Sequence, residues 1–143
     1  MYRHILIPTD GSKLSEKAIK HGISLAKSIK AKVTAVTVSV PTEGLAFELM
    51  TEPSEQYKKQ VANLAAKHLR VAKDMATAAG VTCNVAHVEH YHPYEASIIA
   101  AKKAHCDLIV MASHGRRGYA AVLLGSETVK VMTHSKIPVL VYR

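Results

Sequence analysis

The sequence of 143 residues contains no tryptophan, one phenylalanine and two cysteines. Cys83 and Cys106 lie in separate apolar segments. No signal peptide is recognisable at the N-terminus, so both are expected to be free thiols. No window holds the roughly 18 apolar residues that a membrane-spanning helix requires. These absences argue against a secreted disulfide-bonded protein and against a membrane protein, and they predict a globular protein located in the cytoplasm.

Acidic residues are in the minority, and the formal net charge of +8 raises the question of nucleic-acid binding. Most lysines, however, occupy the polar positions of predicted helices, and a solvated helix face produces the same spacing. Aromatic side chains that could stack on single-stranded bases are scarce. The sequence therefore argues against nucleic acid as a partner.

Short apolar or β-branched segments alternate with amphipathic ones along the whole chain. The predicted strands are His4–Thr9, Val33–Val40, Val81–Glu89, Asp107–Ala112 and Ile137–Tyr142. The predicted helices are Lys13–Ile29, Ser54–Ala79, Pro93–His105 and one that begins at Gly125 or Ser126, and Pro41–Pro53 is predicted to be a loop or lid. Because parallel neighbours need crossover helices, this order predicts one α/β domain over residues 1–143, with helices on both faces of a mainly parallel sheet.

Two polar segments follow predicted strands: "PTDGS" after the first and "ASHGRRG" after the fourth. Ligands of open parallel sheets bind beyond such strand ends. From Gly115, nine residues lead to Gly125 and Ser126. Glycines let backbone N–H groups approach an anion closely, and a helix N-terminus favours negative charge, so this loop can bind phosphate. Alternatively, its glycines only shape a turn and Ser126 only caps a helix.

The loop is not a Walker A motif, because no lysine precedes Ser126. It resembles the universal stress protein family, whose nucleotide-binding members carry G-x2-G-x9-G-[ST] late in a domain of this size. The opening "ILIPTDGS" and the closing "SKIPVLVYR" also resemble the ends of that family. The resemblance therefore covers essentially the whole chain.

This resemblance implies a doubly wound, Rossmann-like domain whose five parallel strands follow the order 3-2-1-4-5. It also implies an adenine nucleotide, ATP or else AMP or ADP, bound with Mg²⁺ across the ends of strands one and four. The acidic residue that hydrogen-bonds the nucleoside corresponds to Asp10. The other positions implied by the family are Pro8, Thr9, Val38 and Met111 around the adenine, Ala112 beside the ribose, and Gly115, Gly125, Ser126 and the Glu127 backbone at the phosphates.

One position departs from the family motif, because Ala112 replaces its first glycine. Alanine costs little there if the backbone is extended, and on the order of 1 kcal/mol if φ is positive. Asp10 has an alternative role as the cap of the first helix. Arg116 and Arg117 could neutralise phosphates in place of the missing lysine, or they could project into solvent.

Histidines offer two further hypotheses. His87, His90 and His92 lie near Glu89 and could bind a metal, but the sequence favours surface histidines, because no cysteine accompanies them and the ligand spacing is not clean. His114 could act as a general base, although a role in shaping the loop is the preferred interpretation. No nucleophile–base pair is recognisable beside the glycine loop.

The leading hypothesis is a nucleotide-binding stress-response or signalling module that reports its occupancy through conformation or through an unidentified protein partner. The alternatives are a slow metal-dependent ATPase and a nucleotide-free interaction module. The resemblance further implies a homodimer in which the last strand pairs antiparallel with its copy. Instead, a helix of the same monomer could cover that strand.

Overall fold

A computed structural model of the chain describes residues 1–41, 53–116 and 123–143. The interior of the predicted loop or lid, as well as Arg117, therefore lies outside the described residues. The strands are β1 (His4–Pro8), β2 (Lys32–Ser39), β3 (Cys83–Glu89), β4 (Leu108–Ala112) and β5 (Val139–Tyr142). The helices are α1 (Lys13–Ile29), α2 (Glu55–Ala79), α3 (Pro93–Lys103) and α4 (Ser126–His134).

The strands form one five-stranded sheet in the order β3-β2-β1-β4-β5. Each neighbouring pair is parallel, with β1 at the centre between β2 and β4. This order confirms the topology implied by the family resemblance. It brings the carboxyl ends of β1 and β4 side by side, where the direction of winding switches.

The sheet has a hydrophobic core on each face, because successive side chains of a strand point to opposite sides. Ile5 and Ile7 of β1 pack in one core with residues of α1 and α2, including Ile23 and Leu69. Leu6, between them, packs in the other core, which includes Ile98 of α3 and Val131 of α4. Helices therefore cover both faces, as the alternation of elements predicted.

Several boundaries differ from the sequence-based prediction by one or two residues. The predicted helix Pro93–His105 ends at Lys103, and His105 has φ +54, which is incompatible with continuing the helix. The predicted strand Ile137–Tyr142 begins at Val139. Gly80 has φ +72 and ends α2 in the left-handed conformation, as predicted. Within the described residues no helix is long and apolar enough to cross a membrane.

Candidate functional site

The turn after β1 is fixed firmly to the neighbouring strand. Thr9 is buried, and its N–H donates to the Val36 carbonyl at 2.8 Å. The Thr9 carbonyl accepts a hydrogen bond from Thr37 Oγ1 at 3.0 Å. These bonds hold the backbone on the N-terminal side of Asp10, so the direction in which the turn leaves the sheet is well defined.

Asp10 connects the ends of β1 and β4. Its Oδ1 accepts from the Ser12 N–H at 2.9 Å, and its Oδ2 accepts from the Arg116 N–H at 2.8 Å. Partial burial raises the pKa of this carboxyl, but the hydrogen bonds from Ser12 and Arg116 outweigh burial and hold the pKa below its usual value. Asp10 is therefore a carboxylate at neutral pH.

The cap of α1 is a different residue. Ser12 occupies the N-cap position, and its hydroxyl oxygen accepts from the Ser15 N–H at 3.1 Å. The alternative role of Asp10 as the helix cap is therefore wrong. Its carboxylate serves the contact between the two strand ends.

Gly115 lies against the Asp10 carboxylate. A Cβ atom added at Gly115 would lie 2.3 Å from Asp10 Oδ2, closer than nonbonded atoms can approach. Only glycine lets the loop backbone come this near, and this approach allows the next N–H, that of Arg116, to reach the carboxylate. A side chain at Gly115 would therefore displace the Asp10 carboxylate from its hydrogen bond with the Arg116 N–H.

The other end of the loop leads into α4. Gly125 is its N-cap residue, with an extended backbone whose N–H donates to the Ser113 carbonyl at 2.7 Å. Ser126 is the first helical residue and is exposed. The alternative in which Ser126 is the helix cap is therefore wrong. The first N–H groups of a helix have no acceptor within it, so the start of α4 can bind an anion.

Two side chains of the first turn of α4 orient this helix. Thr128 Oγ1 donates to the Ala112 carbonyl at 2.9 Å, which connects α4 to the end of β4. The carboxylate of Glu127 accepts from the Tyr94 N–H at 2.8 Å, at the N-terminus of α3. The Glu127 side chain is thus occupied by a structural contact, while the role that the family resemblance implies for its backbone stays a prediction. Sequence reasoning missed Thr128 and Tyr94.

The apolar residues that the family resemblance assigns to the adenine and to the ribose all lie at the carboxyl ends of strands. Met111 and Ala112 end β4 and are buried, while Pro8 and Val38 end β1 and β2 and are partly buried. Ala112 pairs with Tyr142 of β5 in extended backbone. Among described non-glycine residues, positive φ occurs only at Lys30 and His105, so alanine carries no conformational cost at this motif position.

Arg116 does not simply project into solvent. Its Nη2 lies 3.0 Å from Nε2 of His68, a residue of α2 that sequence reasoning missed. No local signal could have found this contact, since 48 residues separate the two. Arg117, proposed together with Arg116 to neutralise phosphates, lies outside the part of the chain that the structure describes.

The remaining histidines fit the structural interpretations. His114 Nδ1 lies 3.2 Å from Ser113 Oγ, which raises the question of a nucleophile–base pair. Ser113 is only 5% exposed, so its hydroxyl is not accessible to a substrate as a nucleophile. His87 bonds Ser39 Oγ at 2.8 Å, and His90 lies 3.7 Å from Glu95. Among the described residues, no group of three potential ligands could hold a metal ion. His87 is exposed, and the loop-shaping role of His114 stays a prediction.

Comparison with known proteins agrees with this arrangement of strand ends. The model of the universal stress protein family matches residues 1–143. The chain belongs to this family. Universal stress protein MJ0531 of Methanocaldococcus jannaschii is 35% identical over 153 aligned residues, which cover 100% of this chain and 83% of the relative.

Two solved structures share the fold along nearly the entire chain. Hypothetical protein MJ0577, whose structure was used to assign its biochemical function, superposes with a TM-score of 0.81 at 30% identity, with 99% of this chain and 95% of that one covered. A universal stress protein in complex with cAMP superposes with a TM-score of 0.75 at 28% identity, with 99% and 97% covered. A relative of this fold thus binds an adenine nucleotide.

Proposed function

We propose that the chain binds an adenine nucleotide, ATP or else AMP or ADP, beyond the carboxyl ends of β1 and β4. The observation that carries this proposal is the 2.8 Å hydrogen bond from the Arg116 N–H to Asp10, which unites the two segments that the sequence singled out. The cAMP complex of a relative supports the same ligand class. Nucleotide-dependent changes in conformation and in the binding of a protein partner would make the chain a stress-response or signalling module.

The residues present fit such a ligand. Each Asp10 oxygen accepts one backbone N–H and has a second lone pair, so the carboxylate can also accept a ribose hydroxyl. The N–H groups of Ser126 and Glu127 at the start of α4 suit phosphate oxygens, and the Ser126 hydroxyl and the Arg116 guanidinium can donate as well. The proposed adenine and ribose contacts are Pro8, Thr9, Val38, Met111 and Ala112.

Magnesium would accompany the phosphates rather than occupy a cage of protein ligands. The described residues contain no cluster of three acidic, histidine or cysteine ligands. Mg²⁺ commonly keeps several waters and takes its other oxygens from substrate phosphates, so the site needs no such cluster. We propose that the ion is held chiefly by the nucleotide.

Replacing Asp10 tests the proposal. Asp10→Ala removes the acceptor for the ribose and the bond to the Arg116 N–H, so the Kd for ATP should rise about tenfold or more, the effect of losing a charge-assisted hydrogen bond. The matched control is Asp107→Ala, since Asp107 also accepts backbone N–H groups, those of Arg3 and His4. Asp107 lies at the opposite end of the sheet, so this variant should be less stable but bind ATP normally.

Isothermal titration calorimetry measures both affinities, and circular dichroism checks that both variants are folded. If folded Asp10→Ala binds ATP as the wild type does, or if Asp107→Ala loses as much affinity, the proposed site is wrong. A wild-type protein that binds no adenine nucleotide at millimolar concentration would contradict the function itself.

The last strand supports a further part of the proposal, a homodimer. β5 is an edge strand, and Leu140 in it is 48% exposed. Unpaired edges that carry apolar side chains are normally covered. We propose that a second copy of the chain pairs with β5 about a two-fold axis, as the family resemblance implies. The cytoplasmic location and the existence of a protein partner stay predictions.

A further inference from the structure

We propose that His68 of α2 is a positioning residue of the nucleotide site. As a neutral imidazole it holds the Gly115–Arg116 segment against Asp10, and its protonation releases that segment and weakens nucleotide binding. This inference rests on the proposed nucleotide site. It adds a residue from a helix that contributes none of the expected nucleotide contacts, and it makes nucleotide affinity depend on pH.

The first observation is the contact between His68 and the turn after β1. A Cβ atom added at Gly11 would lie 2.2 Å from His68 Nε2 and 2.3 Å from its Cδ2, so the imidazole rests directly on the glycine. Gly11 has φ +75, a conformation that favours glycine. The turn that carries Asp10 is therefore packed against the His68 ring.

The second observation is the 3.0 Å contact between His68 Nε2 and Arg116 Nη2. A guanidinium group has only donors and stays charged at all relevant pH values. Nε2 must therefore be the acceptor, which means that His68 is neutral and carries its proton on Nδ1. Nδ1 is buried and has no hydrogen-bond partner among the described residues.

These contacts form a closed cycle of three interactions beside the candidate site. His68 holds the Arg116 side chain, the Arg116 N–H holds the Asp10 carboxylate, and the turn after Asp10 packs on His68. Each contact restricts the other two. A nucleotide that bonds Asp10 and the loop would find both already oriented, so less conformational entropy is lost on binding.

Protonation of His68 would break this cycle of contacts. With a proton on Nε2, two donors and two positive charges would face each other, and Arg116 would be expelled from the contact. The charged groups around the imidazole are Arg116, Asp10, Lys67 of α2 and Glu16 of α1. Burial and the charge of Arg116 lower the pKa of His68 and outweigh the carboxylate of Asp10. The cycle of contacts is therefore intact at pH 7 and is broken on acidification.

The first test needs no nucleotide. Nitrogen-15 NMR of the imidazole should show His68 as the neutral form protonated at Nδ1 near pH 7, with a pKa below the usual value of about 6.5. Arg116→Ala removes both a hydrogen bond to the neutral form and a positive charge, so the pKa of His68 should rise. A His68 that is protonated at Nε2, or whose pKa is unaffected by Arg116→Ala, would overturn the inference.

The second test measures ATP affinity by calorimetry at pH 7.5 and pH 5.5. Phosphate groups titrate in this range too, so the effect is the difference between variants. His68→Gln keeps an acceptor for Arg116 and cannot titrate, so the ratio of its Kd for ATP to that of the wild type should depend on pH. Between pH 7.5 and pH 5.5 the wild type should lose ATP affinity relative to His68→Gln, by up to roughly tenfold, the effect of one net hydrogen bond.

The control is His105→Asn, an exposed histidine at the opposite end of the sheet whose left-handed backbone asparagine tolerates. It should keep the pH dependence of the wild type. Equal pH dependence in the wild type and His68→Gln would refute the role of His68 while leaving the nucleotide site intact. Absence of ATP binding to the wild type at pH 7.5 would instead refute the proposed function, and the inference with it.

Discussion

Two aspartates fasten β1 to β4 at opposite ends of the sheet. Asp107 accepts the N–H groups of Arg3 and His4 before the strands begin, and Asp10 accepts that of Arg116 after they end. Burial raises the pKa of each carboxyl, and hydrogen bonds outweigh burial, from the side chain and backbone of Ser12 at Asp10 and from backbone N–H groups at Asp107, so each pKa lies below the usual value. Of the two, Asp10 is the one that lies against a glycine of the loop, Gly115. The same interaction is therefore structural at one end and belongs to the proposed nucleotide site at the other.

The sequence predicts Asp10 and Gly115 because turn residues soon after apolar strands can be recognised locally, and Gly125 because a Gly-Ser pair before an amphipathic segment indicates the start of a helix. His68 cannot be recognised in this way. It lies in the middle of a helix of 25 residues, and its importance comes from contacts with a turn and a loop that are distant in sequence. Similarly, the roles of Thr128 and Tyr94 depend on the packing of α4 against β4 and α3. Local patterns do not contain such information.

His4 makes the stability of the fold depend on pH. It is buried, with Nε2 2.8 Å from Thr34 Oγ1 and Nδ1 without a partner in the described chain. Burial and the nearby charge of Lys32 lower its pKa. Below the ordinary histidine pKa of about 6.5, the unfolded chain takes up a proton that folded His4 does not. The free energy of unfolding should therefore fall as the pH falls from about 6.5.

Urea unfolding at pH 7.5 and pH 5.5 measures this loss. A single histidine contributes at most about 1.4 kcal/mol per pH unit. His4→Gln cannot titrate, so it should lose less free energy of unfolding than the wild type over the same interval. An equal loss in the two proteins would show that His4 is not responsible.

At the scale of the elements, hydrophobic patterning predicted all five strands and the four described helices, while their ends depended on tertiary contacts. The predicted strand at Ile137 starts two residues later, because the Ile137 N–H donates to Ser135 Oγ in a turn. α3 is shorter than predicted because His105 adopts a left-handed conformation, which only its surroundings dictate. The strand order came from the family resemblance, because alternation of elements alone does not determine it.

Two glycine variants distinguish an effect on ATP affinity from an effect on stability, one at the start of α4 and one at the end of α2. A Cβ atom at Gly125 would lie 3.0 Å from the His114 Cα, so Gly125→Ala should displace the loop, raise the Kd for ATP several-fold and cost about 1–3 kcal/mol of stability. Gly80→Ala has free space but φ +72, so it should cost about 1–2 kcal/mol without changing the Kd. Calorimetry and urea unfolding measure both quantities. The account of α4 fails if the two variants have equal ATP affinity.

At the scale of the whole molecule, the two sheet edges differ in their expected roles. Leu140 on β5 is 48% exposed and Val85 on β3 is 45% exposed, yet only β5 is the proposed dimer strand. Leu140→Lys places a charge in that contact and should shift the protein to the 15.5 kDa monomer mass. Val85→Lys makes the same change on the opposite edge and should leave the dimer intact.

Light scattering coupled to size-exclusion chromatography, at micromolar concentrations, determines the mass of each variant. A wild-type protein that elutes as a monomer throughout this range would refute the dimer. If Val85→Lys dissociates the dimer and Leu140→Lys does not, the interface lies on β3 and the proposed pairing through β5 is wrong.

The central claim is that an adenine nucleotide binds where β1 and β4 end, between Asp10 and the start of α4. The most direct measurement is a titration of isotopically labelled protein with ATP and Mg²⁺, followed through its assigned amide resonances. The account predicts that the largest shifts occur at Asp10, Gly115, Ser126 and Glu127. It would be contradicted by a spectrum that ATP leaves unchanged, or by shifts confined to the groove between α2 and β3 that Arg70, Lys73 and Val85 line.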